Sequence, residues 1–321
     1  MDIKRSQFSL TSEDKLKGAI IGAIVGDALG VPFEFLNPEK IYKKRVKSMY
    51  HGGYHNQPSG TWSDDSSLIL CTLDSLSNGY DLKDIGNKFK DWLYLSKYTP
   101  YGIVFDCGNT ISQSIHLINK GIFTGLNSEN NCGNGSLMRI IPLLFIMNNN
   151  MEKRFEIIKD VSSLTHSHIR CIIACNIYME YALNLILYGD KYEAYEKMRL
   201  TIKDVFKEYK SELEVFSRIL DNDIGKYPQS SFNGKGYVVN TLEISLYSFL
   251  TTDNYADSVI KAILFGYDTD TNACVTGGLS GLYYGLNNIP KKWIDKLAKV
   301  DEIYELLNNS YKKIIKNKFH F

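Results

Sequence analysis

The sequence predicts an all-α fold. Apolar residues recur at helical spacing along most of the 321-residue chain, and clean period-two alternation is almost absent. Two segments near opposite ends also repeat glycine every four residues, at 18, 22, 26 and 30 and again at 277, 281 and 285. A glycine inside a helix costs about 1 kcal/mol against alanine. A whole glycine face therefore predicts a second backbone packed closely enough to offset that cost. Two such faces predict a pair of close-packed helices and one core in which the ends of the chain meet.

The elements follow in order. "TSED" at 11–14 fits a capping box and opens the first glycine helix, which runs to about Leu29. Further helices are predicted over 66–77, 82–95, 109–120, 138–147, 154–165, 169–187, 191–218, 242–250 and 255–265, with a helical region from 291 onward. "RVKSMY" at 45–50 is the one strand candidate, ahead of the loop "HGGYHNQPSG". "LDNDIGKYPQSSFNGKG" at 220–236 is a long polar loop, either at a substrate entrance or a surface excursion. No linker, low-complexity run or fixed-period repeat divides the chain. Although it exceeds the prior of ~150 residues per domain, it predicts a single domain over 1–321, with a core at about 16–300 and a basic helical tail.

Composition excludes several classes. Apolar content of 44% and charged content of 23% describe an ordinary globular chain able to bury a core. Lys+Arg 37 against Asp+Glu 36 gives a net charge of +1, with no electrostatic drive toward nucleic acid or an anionic membrane. The basic stretch "YKKIIKNKF" at 311–319 reads as a solvated helix end. No run of 18 continuous apolar residues predicts a membrane span, and "MDIKRSQFSLTSEDK" lacks the apolar core of a signal peptide. The six cysteines follow no disulfide or zinc spacing and are expected to be reduced thiols of a cytoplasmic protein. A monomer is the favoured oligomeric state.

The chemistry gathers at helix entrances. "FGYDTDTNACVTGG" at 265–278 places Asp268 and Asp270 around one threonine, each followed by another hydroxyl. "GTWSDDSSLIL" at 60–70 places Ser63, Asp64 and Asp65 before an apolar run. Taken singly, either cluster reads as a capped helix start with acids at the positive end of the dipole. Taken together, four carboxylates with the hydroxyls of Ser63 and Thr271 form an oxygen-only donor set. That set suits Mg²⁺ or Mn²⁺ rather than zinc, provided the two helix mouths converge. "GDALGVPFEF" at 26–35 sets Glu34 between two phenylalanines, where a raised pKa would suit proton transfer. "FDCGNT" at 105–110 carries Asp106 and Gly108 ahead of a helix. "CGNGSLMRI" at 132–140 offers backbone N–H groups from Asn134, Gly135 and Ser136 that suit a phosphate. "THSH" at 165–168 supplies His166, which alone reads as structural. No H-E-x-x-H, G-x-S-x-G or deaminase pattern is present.

In this order, "GAIIGAIVGDALGVPFEF", "TWSDDSS", "FDCGNT", "NGSLMRIIPL", "THS", "GYVVNTLEISLYSF" and "DTDTNACVTGGLSGLYYGLNNIPKKW" resemble the ADP-ribosylglycohydrolase family, over about residues 16–300. The resemblance implies a compact all-α domain with a dinuclear Mg²⁺ or Mn²⁺ cleft. By the same resemblance, Ser63, Asp64, Asp65, Asp268, Asp270 and Thr271 are the metal ligands. Glu34, Asp64 and Asp65 are the candidates for catalysis. Asp106, Gly108, Asn134, Gly135, Ser136, His166 and Tyr267 stand on the substrate side. The implied reaction is hydrolysis of the glycosidic bond of ADP-ribosylated substrates, with arginine on a protein as the expected acceptor. Hydrolysis of O-linked (serine or O-acetyl) ADP-ribose and a non-catalytic ADP-ribose binder are the alternatives. The expected partner is an ADP-ribosylated protein or a small molecule containing ADP-ribose. Two departures from the family pattern stand out: Ser63 replaces a common threonine while keeping the hydroxyl, and Tyr267 stands directly before the acid motif.

Overall fold

The computed structural model describes residues 12–147 and 150–318. The predicted capping box lies partly outside this range, since its first residue, Thr11, is not described. Among the described residues the fold is helical throughout, and pairing between extended segments is limited to isolated bridges such as Gly52 with Gln57.

The first glycine segment forms α1 (Ser12–Gly30). It is apolar all round, with Ile20, Ile21, Ile24 and Val25 fully buried, as befits a helix at the centre of a molecule. The second glycine segment lies in α13 (Thr269–Tyr284), and the α1–α13 pair is the most extensive helix contact in the fold. Carbonyls of one helix occupy the space where side chains of the other would begin: a Cβ on Gly22 would strike the Gly277 carbonyl, and a Cβ on Gly277 the Gly22 carbonyl. The predicted meeting of the chain's ends in one core is therefore this helix pair.

Around it pack α11 (Val238–Leu250) and α12 (Tyr255–Ile263), both against α13, and α7 (Ile169–Tyr188), which touches α11 and α13. α3 (Asp64–Leu76) leads to α4 (Leu82–Leu95), which packs on α5 (Asn109–Asn119). α6 (Met151–Ser163) packs on α7, and α15 (Val300–Lys318) closes against α3. The shorter helices are α2 (Pro38–Lys44), α9 (Lys210–Val215), α10 (Ser217–Leu220) and α14 (Lys291–Ile294). Two helices, over Glu13–Phe33 and Ile169–Tyr188, are long and apolar enough to cross a membrane, but their apolar surface is mostly buried inside the protein.

Three expectations are corrected. Residues 45–50 form no strand: the chain bends there without a paired neighbour, and Arg45 takes a left-handed φ of 61°. The helix expected over 138–147 is a turn followed by a 3₁₀ segment, Ile141–Phe145. Pro142 lacks the N–H that would bond the Met138 carbonyl in a helix. The long helix expected over 191–218 breaks into α8 (Lys191–Val205), α9 and α10. Phe206 and Phe216 are both buried, and burying the two rings turns the chain where periodicity alone would continue it. The six cysteines are free thiols, as expected.

Candidate metal centre and cleft

The packing of α1 on α13 brings the helix mouths together. Thr269 Oγ1 donates to the Gly30 carbonyl at 2.8 Å, tying the start of α13 to the end of α1. Gly30 leaves no room for a side chain above the Asp270 backbone. α3 is anchored to the same place by a residue the sequence reading passed over. Asp27, fully buried on α1, accepts from the Ser63 N–H at 3.0 Å and from both the N–H and the hydroxyl of Ser66. One carboxylate from α1 thus caps α3.

The two acid motifs differ as helix starts. Ser63 is a true N-cap, accepting from the Asp65 N–H at 3.3 Å. Asp268 occupies the N-cap position of α13 without capping it; its carboxylate turns away and accepts from the Asn134 amide at 2.9 Å. The capping explanation therefore covers Ser63 and fails for Asp268.

Asp27, Asp65 and Asp270 each direct a carboxylate oxygen into one cluster whose atoms lie within 4.8 Å of one another. All three are buried. Ser63 and Thr271 donate their hydroxyls to Asp65 Oδ2 at 2.9 and 3.2 Å. Asp65 Oδ1 and both carboxylate oxygens of Asp270 are buried without a hydrogen-bond partner. Orphaned carboxylate oxygens are costly in a protein interior unless a cation or proton meets them. Burial first, and the neighbouring acids second, push Asp64, Asp65 and Asp270 well above the ordinary aspartate range. Asp27 rises only to about 6, because its hydrogen bonds from Ser66 and Ser63 oppose the effect of burial. An all-oxygen, acid-rich site with unmet lone pairs is what a hard divalent cation requires.

Above this cluster opens a cleft of about 540 Å³. Asp64, Asp268, Thr271, Glu34 and Asp106 line it, whereas Asp65 and Asp270 lie beneath its floor. Of the expected substrate-side residues, Asp106, Gly108, Asn134, Gly135, His166 and Tyr267 also line it. Ser136 does not. Its hydroxyl is fully buried against Ser162 and Cys175, which makes its side chain part of the core. The end of the long polar loop does reach the entrance, through Lys235 and Gly236.

His166 presents a neutral ring. Arg139 donates to Thr165 Oγ1 at 2.7 Å, leaving the Thr165 proton for His166 Nδ1 at 2.8 Å. This network assigns the ring proton to Nε2, beside the Gly133–Gly135 loop. Burial, helped by the Arg139 charge, lowers the His166 pKa to about 3.

A second residue missed in the sequence is His55, from the loop "HGGYHNQPSG". Its Nε2 lies 2.6 Å from Glu34 Oε2 and 3.5 Å from Asp106 Oδ1. Burial pushes Glu34 up to about 8 against the opposing hydrogen bond from His55, with the Asp106 charge adding to the rise. For His55, burial disfavours the charged ring, but the Glu34 hydrogen bond and the two acids outweigh it and raise its pKa. The two groups thus form a hydrogen-bonded pair in which each holds its proton more firmly than it would in water. Neither His55 nor Asp27 carries a local signature; each meets its partners only when distant segments fold against one another.

An all-helical protein with paired acid motifs at one cleft of about 540 Å³ has the acids and the cavity of a candidate hydrolase site. The ADP-ribosylglycohydrolase family profile matches residues 9–318, and the chain belongs to that family. It is 30% identical over 302 residues to a protein of Serratia proteamaculans named ADP-ribosylarginine hydrolase Tri1, covering 92% of this chain and 78% of that one. It is 28% identical over 293 residues to the ADP-ribosyl-[dinitrogen reductase] glycohydrolase of Rhodospirillum rubrum, covering 88% and 90% of the two chains. A solved structure titled ADP-ribosylglycohydrolase-related protein complex superposes with a TM-score of 0.78 at 25% identity, over 94% of this chain and 98% of that one.

Proposed function

We propose that the chain is a single-domain hydrolase that releases ADP-ribose from ADP-ribosyl-arginine on proteins with the help of two Mg²⁺ or Mn²⁺ ions. The observation that carries this reading is that Asp64 and Asp268 line one cleft while Asp65 and Asp270, buried beneath it, keep carboxylate oxygens unmet among the described residues. The name of the Serratia proteamaculans relative supports arginine as acceptor, and that of the Rhodospirillum rubrum relative supports a protein substrate.

Ser63, Asp64, Asp65, Asp268, Asp270 and Thr271 would hold the cations. When bound, the cations supply Lewis acidity where the ribose and the attacking water meet. The chain's own groups do the rest. The backbone at Gly133 and Gly135 and the Nε2–H of His166 offer neutral donors to the diphosphate and ribose oxygens, while the Asn134 amide is held by Asp268 and Thr241. Cleavage breaks the bond between the anomeric carbon and the guanidinium nitrogen, through a transition state resembling an oxocarbenium ion. Water adds its oxygen to that carbon, and its proton must find a base. Glu34 and Asp64 line the cleft, while Asp65 lies under the floor. Glu34, which lines the cleft and is hydrogen-bonded to His55, is the acceptor we favour; it takes the proton in its ionised form and passes it to the departing guanidine.

The test compares peptides carrying arginine-linked and serine-linked ADP-ribose, with Mg²⁺, Mn²⁺ or chelator. The arginine-linked peptide should release free ADP-ribose only with cation present. Asp65→Ala and Asp268→Ala should each lose at least about a hundredfold in turnover, of the size expected when an electrostatic element of a site is removed, while keeping the helical circular dichroism. Retained turnover in both variants would sink the ligand assignment; release from neither peptide by the wild type would sink the enzyme.

A further inference from the structure

Two aromatic residues at the cleft mouth are held in a conformation their side chains do not favour. Phe35 and Tyr267 have φ of 60° and 61°, the left-handed region that favours glycine. They are locked there as a pair: the Phe35 N–H donates to the Tyr267 carbonyl at 2.6 Å, and the Tyr267 N–H donates to the Leu36 carbonyl at 2.8 Å. Gly266 fixes the second half of the clasp, since a side chain there would meet the Leu36 carbonyl at 2.8 Å and Pro38 at 2.9 Å. Strain of this kind persists where the surroundings enforce it, and it gathers at ligand sites. Folding does not need these rings in the core. Phe35 is 54% exposed and Tyr267 is 37% exposed, and both line the cleft.

Their neighbours say what they face. Phe35 follows Glu34, and Tyr267 precedes Asp268, so each ring is one residue from a cleft carboxylate. Tyr54 extends the aromatic rim, its ring edge-on to Phe35 with centroids 4.6 Å apart. The Tyr267 face already accepts a cation from within the chain: Lys235 Nζ lies 5.8 Å from its centroid. An exposed aromatic face that accepts the Lys235 ammonium can equally take a planar cation such as a guanidinium.

We propose that Phe35 and Tyr267 form the acceptor-recognition site, taking the guanidinium plane of the arginine whose bond is cleaved. This rests on the hydrolase reading above and deepens it by assigning the choice of acceptor to residues outside the acid motifs. The nucleotide end of the substrate is left to the neutral donors around His166 and Gly135, which line the same cleft. A serine-linked substrate brings neither charge nor a flat face to the pair and gains nothing from it.

The test is titration calorimetry in Mg²⁺ with three ligands: free ADP-ribose, and arginine-linked and serine-linked mimics in which a methylene replaces the ring oxygen of the scissile ribose, so that neither can form an oxocarbenium ion. Phe35→Leu and Tyr267→Ala should each weaken the arginine-linked mimic by about two- to fivefold, the range of a half-exposed cation–π contact. The double variant should weaken it by about tenfold. Free ADP-ribose and the serine-linked mimic should stay within about twofold of wild type, and Tyr267→Phe should behave as wild type. Equal losses for all three ligands would overturn the proposal in favour of a nucleotide or structural role. Unchanged binding of the arginine-linked mimic would overturn it outright. Turnover of the natural linkages by the wild type is measured in parallel, so failure of the hydrolase reading shows there while the mimics still decide the acceptor pair.

Discussion

His166 illustrates how much one buried side chain couples to solution conditions. Its ring is neutral in the folded protein, with a pKa of about 3, because burial and the Arg139 charge oppose protonation. In the unfolded chain an ordinary histidine protonates near 6.5. Below that pH the unfolded state binds a proton that the folded state refuses, so this contribution to stability is complete above 6.5 and is lost as the pH falls toward 3. The slope is about 1.4 kcal/mol per pH unit at most. Urea unfolding of wild type and His166→Gln should therefore differ more at pH 7.5 than at pH 5.0, by up to about 2 kcal/mol. Equal differences at the two values would show that the folded protein already accommodates the charged ring. The same residue shows the reach and the limit of sequence reading. "THSH" marks a histidine, but its tautomer depends on Thr165 and Arg139, and no local pattern reports that network. Asp27 and His55 were missed for the same reason: their partners are Ser63 and Ser66 for one and Glu34 and Asp106 for the other, all far away in sequence. The acid motifs were legible because each holds its carboxylates within three residues of one another. Ser136 was singled out for its backbone N–H, and its hydroxyl, bonded to Ser162 in the core, is a partnership the sequence did not announce.

At the scale of the element, the glycine periodicity of α1 and α13 is the signal that located the site. Glycine every four residues predicted close backbone approach, and the approach observed sets Asp27 and Asp270 side by side. Gly277 tests it. A Cβ there would strike the Gly22 carbonyl, which also accepts the Tyr255 hydroxyl at 2.6 Å. The obstacle is backbone and cannot rotate away. Gly277→Ala should cost about 3 kcal/mol, the upper part of the usual overpacking range, despite alanine's helix propensity. Gly108→Ala, whose new Cβ would meet nothing closer than Ile111 at 4.0 Å, should cost less than about 1 kcal/mol, the loss of a glycine N-cap. Thermal unfolding followed by circular dichroism separates the two, and equal midpoints would remove the reason for the glycine face. Helix boundaries failed where a single residue outweighed periodicity, at Pro142, or where tertiary burial did, at Phe206 and Phe216.

On the scale of the whole molecule, helices from opposite ends of the chain enclose a charge cluster that neither would tolerate alone. Asp64, Asp65 and Asp270 are held well above their ordinary range by burial and by mutual repulsion. Without cation, the folded protein therefore holds protons at pH values where the unfolded chain has already released them. The sign follows: cation-free stability is highest at acid pH and falls as the pH rises through these raised values. Divalent cations replace the protons, so their affinity rises with pH and their binding expels protons. Calorimetric titration of Mg²⁺ or Mn²⁺ in two buffers of different ionisation enthalpy should report release of about one proton or more per molecule at pH 7. Thermal scans at pH 6 and pH 8 should show the midpoint falling with pH in chelator and recovering with cation. The recovery should be larger at pH 8, because more of the site is then open to the ion. No proton release, together with a cation-free midpoint indifferent to pH, would mean that the acids are ionised and solvated in the folded state. The orphaned oxygens of Asp65 and Asp270 would then need another explanation than a cation. Asp27 sharpens the experiment. Its carboxylate is satisfied by Ser63 and Ser66 and rises only to about 6, so the protons expelled near neutral pH come from the ligand acids rather than from the residue that holds α3 in place.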